Sequence, residues 1–279
     1  MSEPILVARH LVKTYPQRGG LFGLGQQKVK ALDDVSIELN AGETLAVVGE
    51  SGSGKSTLAR CLLQLLPLDS GEVQFQGHDL AKLTGKELRA VRRDLQMVFQ
   101  DPFASLNPRM RVGEIIGEGL LIHDIGNAAE QQRKVAHMIK RVGLSESDFQ
   151  KYPHEFSGGQ RQRIGIARAL VLEPKVVVCD EPVSALDVSI QAQILLLLRE
   201  LQQEMQLSYL FITHDLRVVR HIADQVAVMY KGRVVEQGDV DSLYQAPQQE
   251  YTRNLLNAIP GRRQLAGLAT QANQVQVDN

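Results

Sequence analysis

The chain has 279 residues, of which 43% are hydrophobic and 23% are charged, and its formal net charge is −1. This composition suits a soluble protein with one large or two small domains, and the near-zero charge argues against a nucleic-acid-binding surface. The densest apolar run, residues 194–198, is far shorter than the roughly 20 residues that span a bilayer. The first four residues lack a basic segment followed by a long apolar core, so no signal peptide is expected.

The first elements are two strands, expected at residues 5–14 and 30–39 and joined by a glycine-rich loop that ends near Gln27. The lysines and the arginine of this loop are interpreted as a solvated surface. Tyr15 closes the first strand just before Pro16. Taken alone, it is an ordinary residue of an amphipathic strand.

A phosphate-binding motif follows at residues 49–56, between an apolar run at 44–48 and a predicted helix at 57–66. Its glycines let the backbone curl so that successive N–H groups point at one anion, and the helix N-terminus adds a positive dipole end. Lys55 is expected to reach the β- and γ-phosphates, and Ser56 to ligate Mg²⁺. The alternative is a glycine-rich turn with a coincidental Gly-Lys-Ser. The nucleotide-contacting residues predicted from this motif are Gly49, Gly52, Gly54, Lys55, Ser56 and Thr57.

Further strands are predicted at residues 71–75 and 95–99, after which residues 101–156 turn helical. Apolar residues recur at helical spacing over 112–121 and 128–142. We interpret this stretch as an inserted helical subdomain, with limits at about 101–160.

Ser157, Gly158, Gly159 and Gln160 open a further amphipathic helix that carries three arginines. Taken alone, this tetrapeptide is also a plausible helix cap. Next to a phosphate loop it resembles the signature motif of ATP-binding cassette ATPases. Because a helix N-terminus is an anion site, the resemblance implies that these residues contact ATP held by a second cassette, facing head to tail.

Residues 176–181 are an apolar run that ends in two carboxylates, which is the Walker B pattern. The carboxyl end of a buried parallel strand faces the active crevice of an α/β fold. Asp180 is therefore expected on the metal side, and Glu181 is expected to orient or deprotonate the attacking water. The competing interpretation is a strand end capped by solvated acids.

The resemblance to this family also implies roles for residues whose types alone are uninformative. It assigns Tyr15 to stacking on adenine, Gln100 to Mg²⁺ and the attacking water, and His214 to the γ-phosphate. It assigns Ser184 and Asp187 to the dimer interface. The expected catalytic residues are Glu181, His214 and Gln100, and the expected metal contacts are Ser56, Gln100 and Asp180.

Strands and helices alternate again from residue 174 to a turn at Lys231 and Gly232. The expected fold is an α/β P-loop NTPase cassette with a mixed-sheet core, an antiparallel β subdomain and the inserted helical subdomain. Residues 1–245 are assigned to the cassette and 246–279 to a C-terminal extension, which is expected to end as a mobile tail after Gly261. Cys61 and Cys179 both lie in apolar surroundings and are expected to be buried free thiols.

A narrower resemblance, to the oligopeptide, dipeptide and nickel uptake group, rests on two segments. Residues 100–109 look like that group's extended loop after the glutamine, and residues 246–256 are similar to its C-terminal Pro-x-His-Pro-Tyr-Thr element. Gln249 and Glu250 replace the His-Pro pair. Many relatives carry a cysteine cluster near this end that can hold an iron–sulfur centre, but no cysteine follows Cys179 in this chain, so the tail cannot ligate one.

The resemblance implies an ATP-hydrolysing subunit of an importer, using ATP and Mg²⁺ at the cytoplasmic face of the inner membrane. Its implied partners are a second cassette, two membrane permeases and, indirectly, an extracytoplasmic substrate-binding protein. The segment 101–109 is expected to dock on a permease. Peptide is the group's commonest cargo; nickel and glutathione remain open, as does a cassette homodimer or heterodimer.

Two alternative functions differ from that of an importer subunit. One is a soluble cassette ATPase that acts on ribosomes or DNA, but such proteins usually carry twin cassettes or long coiled-coil insertions, and this chain has neither. The other is a cassette that binds ATP without turnover. The presence of Glu181, His214 and Gln160 argues against it.

Overall fold

The computed structural model describes residues 4–16 and 28–259. The predicted loop at 17–27 and the predicted tail after Gly261 lie outside these ranges. The described part contains two sheets. A four-stranded antiparallel sheet has the order β2-β1-β4-β5 and is built from β1 (Pro4–Pro16), β2 (Lys28–Asn40), β4 (Ser70–Phe75) and β5 (His78–Asp79).

The second sheet has six strands in the order β10-β9-β3-β8-β7-β6. Five are parallel, and β10 is antiparallel to β9, so the sheet is mixed. The predicted cassette fold, with one mixed and one antiparallel sheet, is confirmed. The six strands are β3 (Thr44–Val48), β6 (Leu95–Val98), β7 (Val176–Asp180), β8 (Ser208–Thr213), β9 (Gln225–Tyr230) and β10 (Arg233–Asp239).

Ten α-helices surround the sheets in the described chain. Short 3₁₀ turns also occur at Leu80–Lys82, Glu146–Gln150 and Pro153–Glu155. The helices are α1 (Lys55–Leu62), α2 (Gly85–Asp94), α3 (Pro102–Ser105), α4 (Val112–Ile122), α5 (Ala128–Arg141), α6 (Gly158–Leu170), α7 (Val188–Met205), α8 (Leu216–Ile222), α9 (Val240–Gln245) and α10 (Glu250–Asn257). None of these helices is both long enough and apolar enough to cross a bilayer.

The first helix differs from its predicted limits, 57–66. It begins at Lys55 because Gly54, at φ 108°, turns the chain directly into the helix. It ends at Leu62 because Gln64, at φ 53°, takes a left-handed conformation that a helix cannot continue through. The other predicted helices and strands agree with the structure to within three residues at each end. The predicted end of the helical subdomain, near residue 160, falls inside α6.

The parallel strands are buried on both faces because each face packs on a different layer. On β3, Leu45 and Val47 face α1 and the antiparallel sheet, whereas Ala46 and Val48 face α8, α9 and α10. On the side of β6 to β8, the opposite face packs on α4, α5, α6 and α7. Cys61 and Cys179 belong to different clusters and are buried and unpaired, as predicted, and burial raises the pKa of the Cys61 thiol to about 11.

This topology places the carboxyl ends of β3, β6, β7 and β8 along one edge of the sheet. Each of these ends is followed by a motif identified in the sequence: the phosphate loop, Gln100, Glu181 and His214. Loops at this edge of an open α/β sheet form the usual ligand crevice.

Candidate active site

The phosphate loop is pressed against neighbouring backbone on one side and open on the other. A Cβ on Gly49 would lie 2.2 Å from the Met229 carbonyl oxygen, and one on Gly54 would lie 2.2 Å from that of Ala31. Both glycines have positive φ, and no larger residue fits there. A Cβ on Gly52, in contrast, would meet nothing within 4 Å. The loop is therefore held from behind, and its open side forms a cradle for an anion.

Lys55 folds back over this loop. Its ammonium donates hydrogen bonds to the carbonyl oxygens of Gly49 at 2.7 Å and Glu50 at 2.8 Å, and only 5% of the residue is exposed. Burial lowers the pKa of Lys55, while the charges of Glu181 and Asp180 act in the opposite direction. A polyphosphate in the cradle would supply the stronger anionic partner that this ammonium lacks.

Ser56 and Asp180 form the oxygen pair expected of a magnesium site. The Ser56 hydroxyl donates to an Asp180 carboxylate oxygen at 3.1 Å. Burial raises the pKa of Asp180, although the hydrogen bond from Ser56 lowers it. Mg²⁺ prefers one or two protein oxygens and completes its shell with phosphates and water, so this donor pair fits the ion. Gln100, also predicted as a metal contact, bonds instead to Glu181 in this structure.

Glu181 is the centre of a second cluster, in which Gln100 and His214 converge on its carboxylate. Gln100 Nε2 donates to Glu181 Oε2 at 3.1 Å, and His214 Nδ1 lies 3.2 Å from the same oxygen. The three residues follow β6, β7 and β8, which are adjacent in the sheet. The structure therefore brings together the three residues predicted to be catalytic, beside the phosphate loop.

The backbone at Glu181 is also unusual, with a φ of 46° that non-glycine residues rarely adopt. Contacts with two residues, Ile212 and Ser184, hold this conformation. The Glu181 N–H donates to the Ile212 carbonyl at 2.9 Å, and the Ser184 hydroxyl donates to the Glu181 carbonyl at 3.1 Å. Strain of this kind persists only where surrounding structure enforces it, and it clusters at functional sites.

Ser157 and Gln160 form a reciprocal capping box that starts α6. The Gln160 side-chain oxygen accepts from the Ser157 N–H at 3.0 Å, and the Ser157 hydroxyl accepts from the Gln160 N–H. A Cβ on Gly159 would lie 2.5 Å from Ile190 Cγ2 of α7, whereas one on Gly158 would make only ordinary contact with Leu186. This motif thus packs against the segment that contains Asp187, and no hydrogen bond of the described residues joins it to Lys55, Asp180 or Glu181.

No hydrogen bond of the described residues joins the side chains of Tyr15 and Asp187 to Lys55 or Glu181. Tyr15 pairs with Val29 in the antiparallel sheet and is 38% exposed. Asp187 precedes α7 on an exposed loop, and Thr57 is half-buried in the first turn of α1. The order of the strands in the sheet decides which of the predicted residues come into contact. This order cannot be inferred from local patterns in the sequence.

Sequence reasoning missed two sets of contacts around these motifs. The Tyr251 hydroxyl accepts a hydrogen bond from the Glu50 N–H at 3.1 Å. The guanidinium of Arg161, in α6, lies 3.7 Å from the centre of the Phe103 ring. The available signals were the three arginines on one helix for the second contact and, for the first, the Tyr-Thr pair of the C-terminal element, which does not by itself indicate a partner.

The fold and these two clusters define an ATP-binding cassette. Residues 32–184, more than half of the chain, match the family described as ABC transporter, and the chain belongs to that family. The resemblance predicted from the motifs is confirmed.

Among its relatives is the di/tripeptide transport ATP-binding protein DppF of Pseudomonas aeruginosa, which is 53% identical over 92% of this chain and 80% of that protein. The oligopeptide transport ATP-binding protein AppF of Bacillus subtilis is 52% identical over 94% of the chain and 80% of its own length. The glutathione import ATP-binding protein GsiA of Pectobacterium atrosepticum is 51% identical over 93% of the chain, which spans only 42% of GsiA.

Solved structures of cassettes have the same fold. The dimeric post-hydrolysis structure of the ATP-binding cassette MJ0796, bound to ADP and Pi, matches with a TM-score of 0.74 at 29% identity, over 84% of this chain and 98% of that one. The structure of cbiO1 from Clostridium perfringens, part of the ABC transporter complex cbiONQ, matches with a TM-score of 0.76 at 29% identity, over 95% and 100%.

Proposed function

We propose that this chain is the ATP-hydrolysing subunit of a bacterial-type ABC importer for peptides. The observation that carries the ATPase assignment is the convergence of Gln100 and His214 on Glu181, beside the phosphate loop. The names of DppF and AppF, each more than half identical to this chain over nine-tenths of it, support peptide as the cargo class. GsiA, whose name specifies glutathione, supports a small peptide in particular.

In this proposal Glu181 holds the attacking water in line with the γ-phosphate. A carboxylate accepts the water's hydrogen bond, while Gln100 and His214 fix the carboxylate's position. The water oxygen bonds to the γ-phosphorus, the bridging oxygen leaves with ADP, and the released proton passes to the Glu181 carboxylate. Mg²⁺, held by Ser56 and Asp180, would neutralise charge on the β- and γ-phosphates. Lys55 moves from the Gly49 and Glu50 carbonyls onto those phosphates.

The signature helix is proposed to complete the site of a second cassette. Ser157 and Gln160 are exposed, and the N-terminus of α6 lies among exposed residues that include Asp187 and Val188, the latter 78% exposed. An exposed helix N-terminus suits a γ-phosphate presented by a partner. The dimeric state of MJ0796 supports the same arrangement for this chain. Tyr15 is proposed to stack on adenine, and Ser184 and Asp187 to contact the partner cassette.

Replacing Gly158 by aspartate should test this assignment. A Cβ at position 158 makes only ordinary contact with Leu186, so the fold tolerates a side chain there, but a carboxylate would repel the incoming γ-phosphate. ATP-dependent dimerisation of the Glu181→Gln form, measured by analytical ultracentrifugation, should be lost in Gly158→Asp and largely kept in the matched control Gly158→Ala. Dimerisation that survives Gly158→Asp would exclude a signature contact in trans.

A membrane partner is proposed to dock beside the segment 101–109. A cleft of about 310 Å³ lies between β6 and α4, and its lining combines apolar side chains with charged ones, among them Arg92, Glu118 and Arg168. An unusual exposure of apolar side chains in one region marks an interaction site. Three exposed apolar residues line the cleft, Leu65, Phe99 and Ile122, and Phe103 in the segment itself is also exposed.

The docking segment is also fastened to the signature helix. Arg161 covers one face of the Phe103 ring, and Arg168 donates to the Ser105 carbonyl and lies 5.7 Å from the centre of the Phe99 ring. Gln100 lies directly before this segment and bonds to Glu181. Movement of a docked permease is therefore proposed to reach both Glu181 and the N-terminus of α6.

Truncating Phe103 to alanine should weaken permease assembly without weakening ATP binding by the isolated subunit. The Phe103 side chain is 64% exposed, so its loss removes docking area and little core packing. Aspartate would be a poorer test, because it would place a carboxylate next to Arg161. Leu196→Ala on α7, where the residue is 60% exposed, is the matched control. Pull-down of the two permeases should fall only for Phe103→Ala; an ATP-binding loss with intact assembly would contradict the assignment.

The proposed transporter contains two permeases, this chain, a second cassette of the same or a related sequence, and an external binding protein that acts indirectly. The chain would lie peripherally at the cytoplasmic face of the inner membrane. Residues 1–245 would form the cassette, with the helical subdomain at about 101–160. The extension from 246 includes α10, which packs on the core through Leu256.

Reconstitution tests the whole proposal. The complex in proteoliposomes, supplied with a di- or tripeptide-loaded binding protein, should hydrolyse ATP faster and accumulate labelled peptide, and the Glu181→Gln complex should do neither. Stimulation by ribosomes or DNA in place of peptide would instead support the soluble ATPase, which the named relatives do not favour.

A further inference from the structure

The C-terminal helix reaches back to the phosphate loop. Tyr251, in the first turn of α10, receives a hydrogen bond at 3.1 Å from the backbone N–H of Glu50, which lies 201 residues earlier in the chain. Glu50 is the second residue of the phosphate motif. The nucleotide site is thus supported by a side chain from the C-terminal element at residues 246–256, far from the phosphate motif in sequence.

Tyr251 is held in place by packing of its ring and by contacts that fix its helix. Its ring packs on Tyr230, at the end of β9, with ring centroids 4.2 Å apart. The Glu236 carboxylate of β10 accepts hydrogen bonds from the backbone N–H groups of Gln248 at 2.7 Å and Gln249 at 3.0 Å, just before α10 begins. Leu256, at the other end of the helix, is fully buried. The hydroxyl of Tyr251 is therefore presented to the loop by a fixed helix.

Glu50 connects this hydroxyl with Lys55. Its N–H donates to Tyr251, while its carbonyl oxygen accepts from the Lys55 ammonium at 2.8 Å. The other side of the loop is held by backbone, because the Gly232 N–H donates to the Ser53 carbonyl at 2.9 Å. Tyr251 thus supplies the side-chain hydrogen bond that restrains the Glu50 N–H. Because burial raises the pKa of Tyr251, the group at this position is a neutral phenol.

We propose that Tyr251 is a positioning residue for ATP binding: by holding the Glu50 peptide, it sets the shape of the phosphate loop and the starting position of Lys55. The inference rests on the proposed function only in taking this loop to bind ATP. The hydroxyl would act on nucleotide affinity and not on the chemical step, because it contacts neither Glu181 nor the groups around it. The position of α10 would accordingly influence how tightly the cassette holds ATP.

Removing the hydroxyl alone tests the proposal. In Tyr251→Phe the ring stays on Tyr230, and the Kd for Mg·ATP should rise about 3- to 10-fold, the range that one hydrogen bond supplies. The KM of the assembled complex should rise by the same factor with kcat unchanged. Tyr244→Phe is the matched control: it removes a hydroxyl that donates to the carbonyl oxygen of Leu216 in α8 and not to the Glu50 peptide. Its Kd should equal that of the wild-type chain.

A second variant checks that the effect passes through α10. Glu236→Ala removes both acceptors at the start of the helix, so its Kd should also rise. Combined with Tyr251→Phe it should add little, since the two changes break one connection.

Three outcomes would overturn the inference: an unchanged Kd in Tyr251→Phe, an equal rise in Tyr244→Phe, or a kcat that falls with KM unaltered. Calorimetric titration with Mg·ATP and thermal melts of the wild-type chain and the four variants distinguish a positioning effect from a general loss of stability. Failure of the wild-type chain to bind ATP would contradict the proposed function itself, which is a different result.

Discussion

Replacing Glu181 by glutamine is expected to lower the kcat for ATP hydrolysis by about 10²–10⁴-fold, the range attributed to a positioned general base. Glutamine has the same size and can still accept from Gln100, but it cannot take a proton from water. The left-handed backbone at position 181 is retained, because both side chains meet the same steric limits there. The fold and the nucleotide affinity should therefore be preserved.

The measurement is phosphate release by the assembled complex, together with the sedimentation of the isolated cassette in Mg·ATP. Hydrolysis should nearly stop while ATP stays bound between two cassettes, giving a stable dimer. Glu200→Gln, on the exposed surface of α7, is the matched control and should hydrolyse ATP at the wild-type rate. Near-normal turnover by Glu181→Gln would mean that a different group positions the water.

Removing the charge of Lys55 should have the largest effect on binding. Lys55→Met keeps most of the buried stem but loses the ammonium, and the Kd for Mg·ATP should rise at least about 10- to 100-fold, since hydrogen bonds to charged groups contribute about 1.5–3 kcal/mol each. Methionine is a better test than alanine, because alanine would leave a cavity at a site that is only 5% exposed.

Calorimetric titration gives the Kd, and a thermal melt without nucleotide serves as the control for folding. The melt should not collapse, because burying a lysine ammonium is costly, as the lowered pKa of Lys55 indicates. A Kd within twofold of wild type would remove Lys55 from the phosphate site. A rise in Kd of equal size in Lys175→Met, where a half-exposed lysine that pairs with Asp94 is lost, would show that any lost lysine weakens binding.

Local patterns were sufficient for the phosphate loop and the Walker B strand. Both motifs are contiguous, and the flanking residues decide their structure directly: a short apolar run forms a buried strand, and Gly54 turns the loop into α1. The elements predicted from periodicity agree well for the same reason. Where a boundary moved, as at the end of α1, a single left-handed residue, Gln64, decided it.

The shared catalytic role of Gln100, Glu181 and His214 was predicted from the resemblance to the family and not from local sequence patterns alone. These residues are separated by 81 and 33 positions, and they are close because β6, β7 and β8 are neighbours in a parallel sheet. Strand order is set by packing between layers that are distant in sequence, so no window of residues contains it. The trans role of Ser157 and the adenine contact of Tyr15 stay predictions.

The sequence by itself determined the class of protein, because the family's chemistry depends on short contiguous motifs. Their glycines, lysine and carboxylates are the groups that bind phosphate, metal and the attacking water. Only the tertiary structure decided which groups support those motifs. Tyr251 meets Glu50, and Arg161 covers Phe103, through contacts that join separate elements. Such contacts arise from the packing of α10 on the sheet and of α3 on α6, which depends on the shape of the whole core.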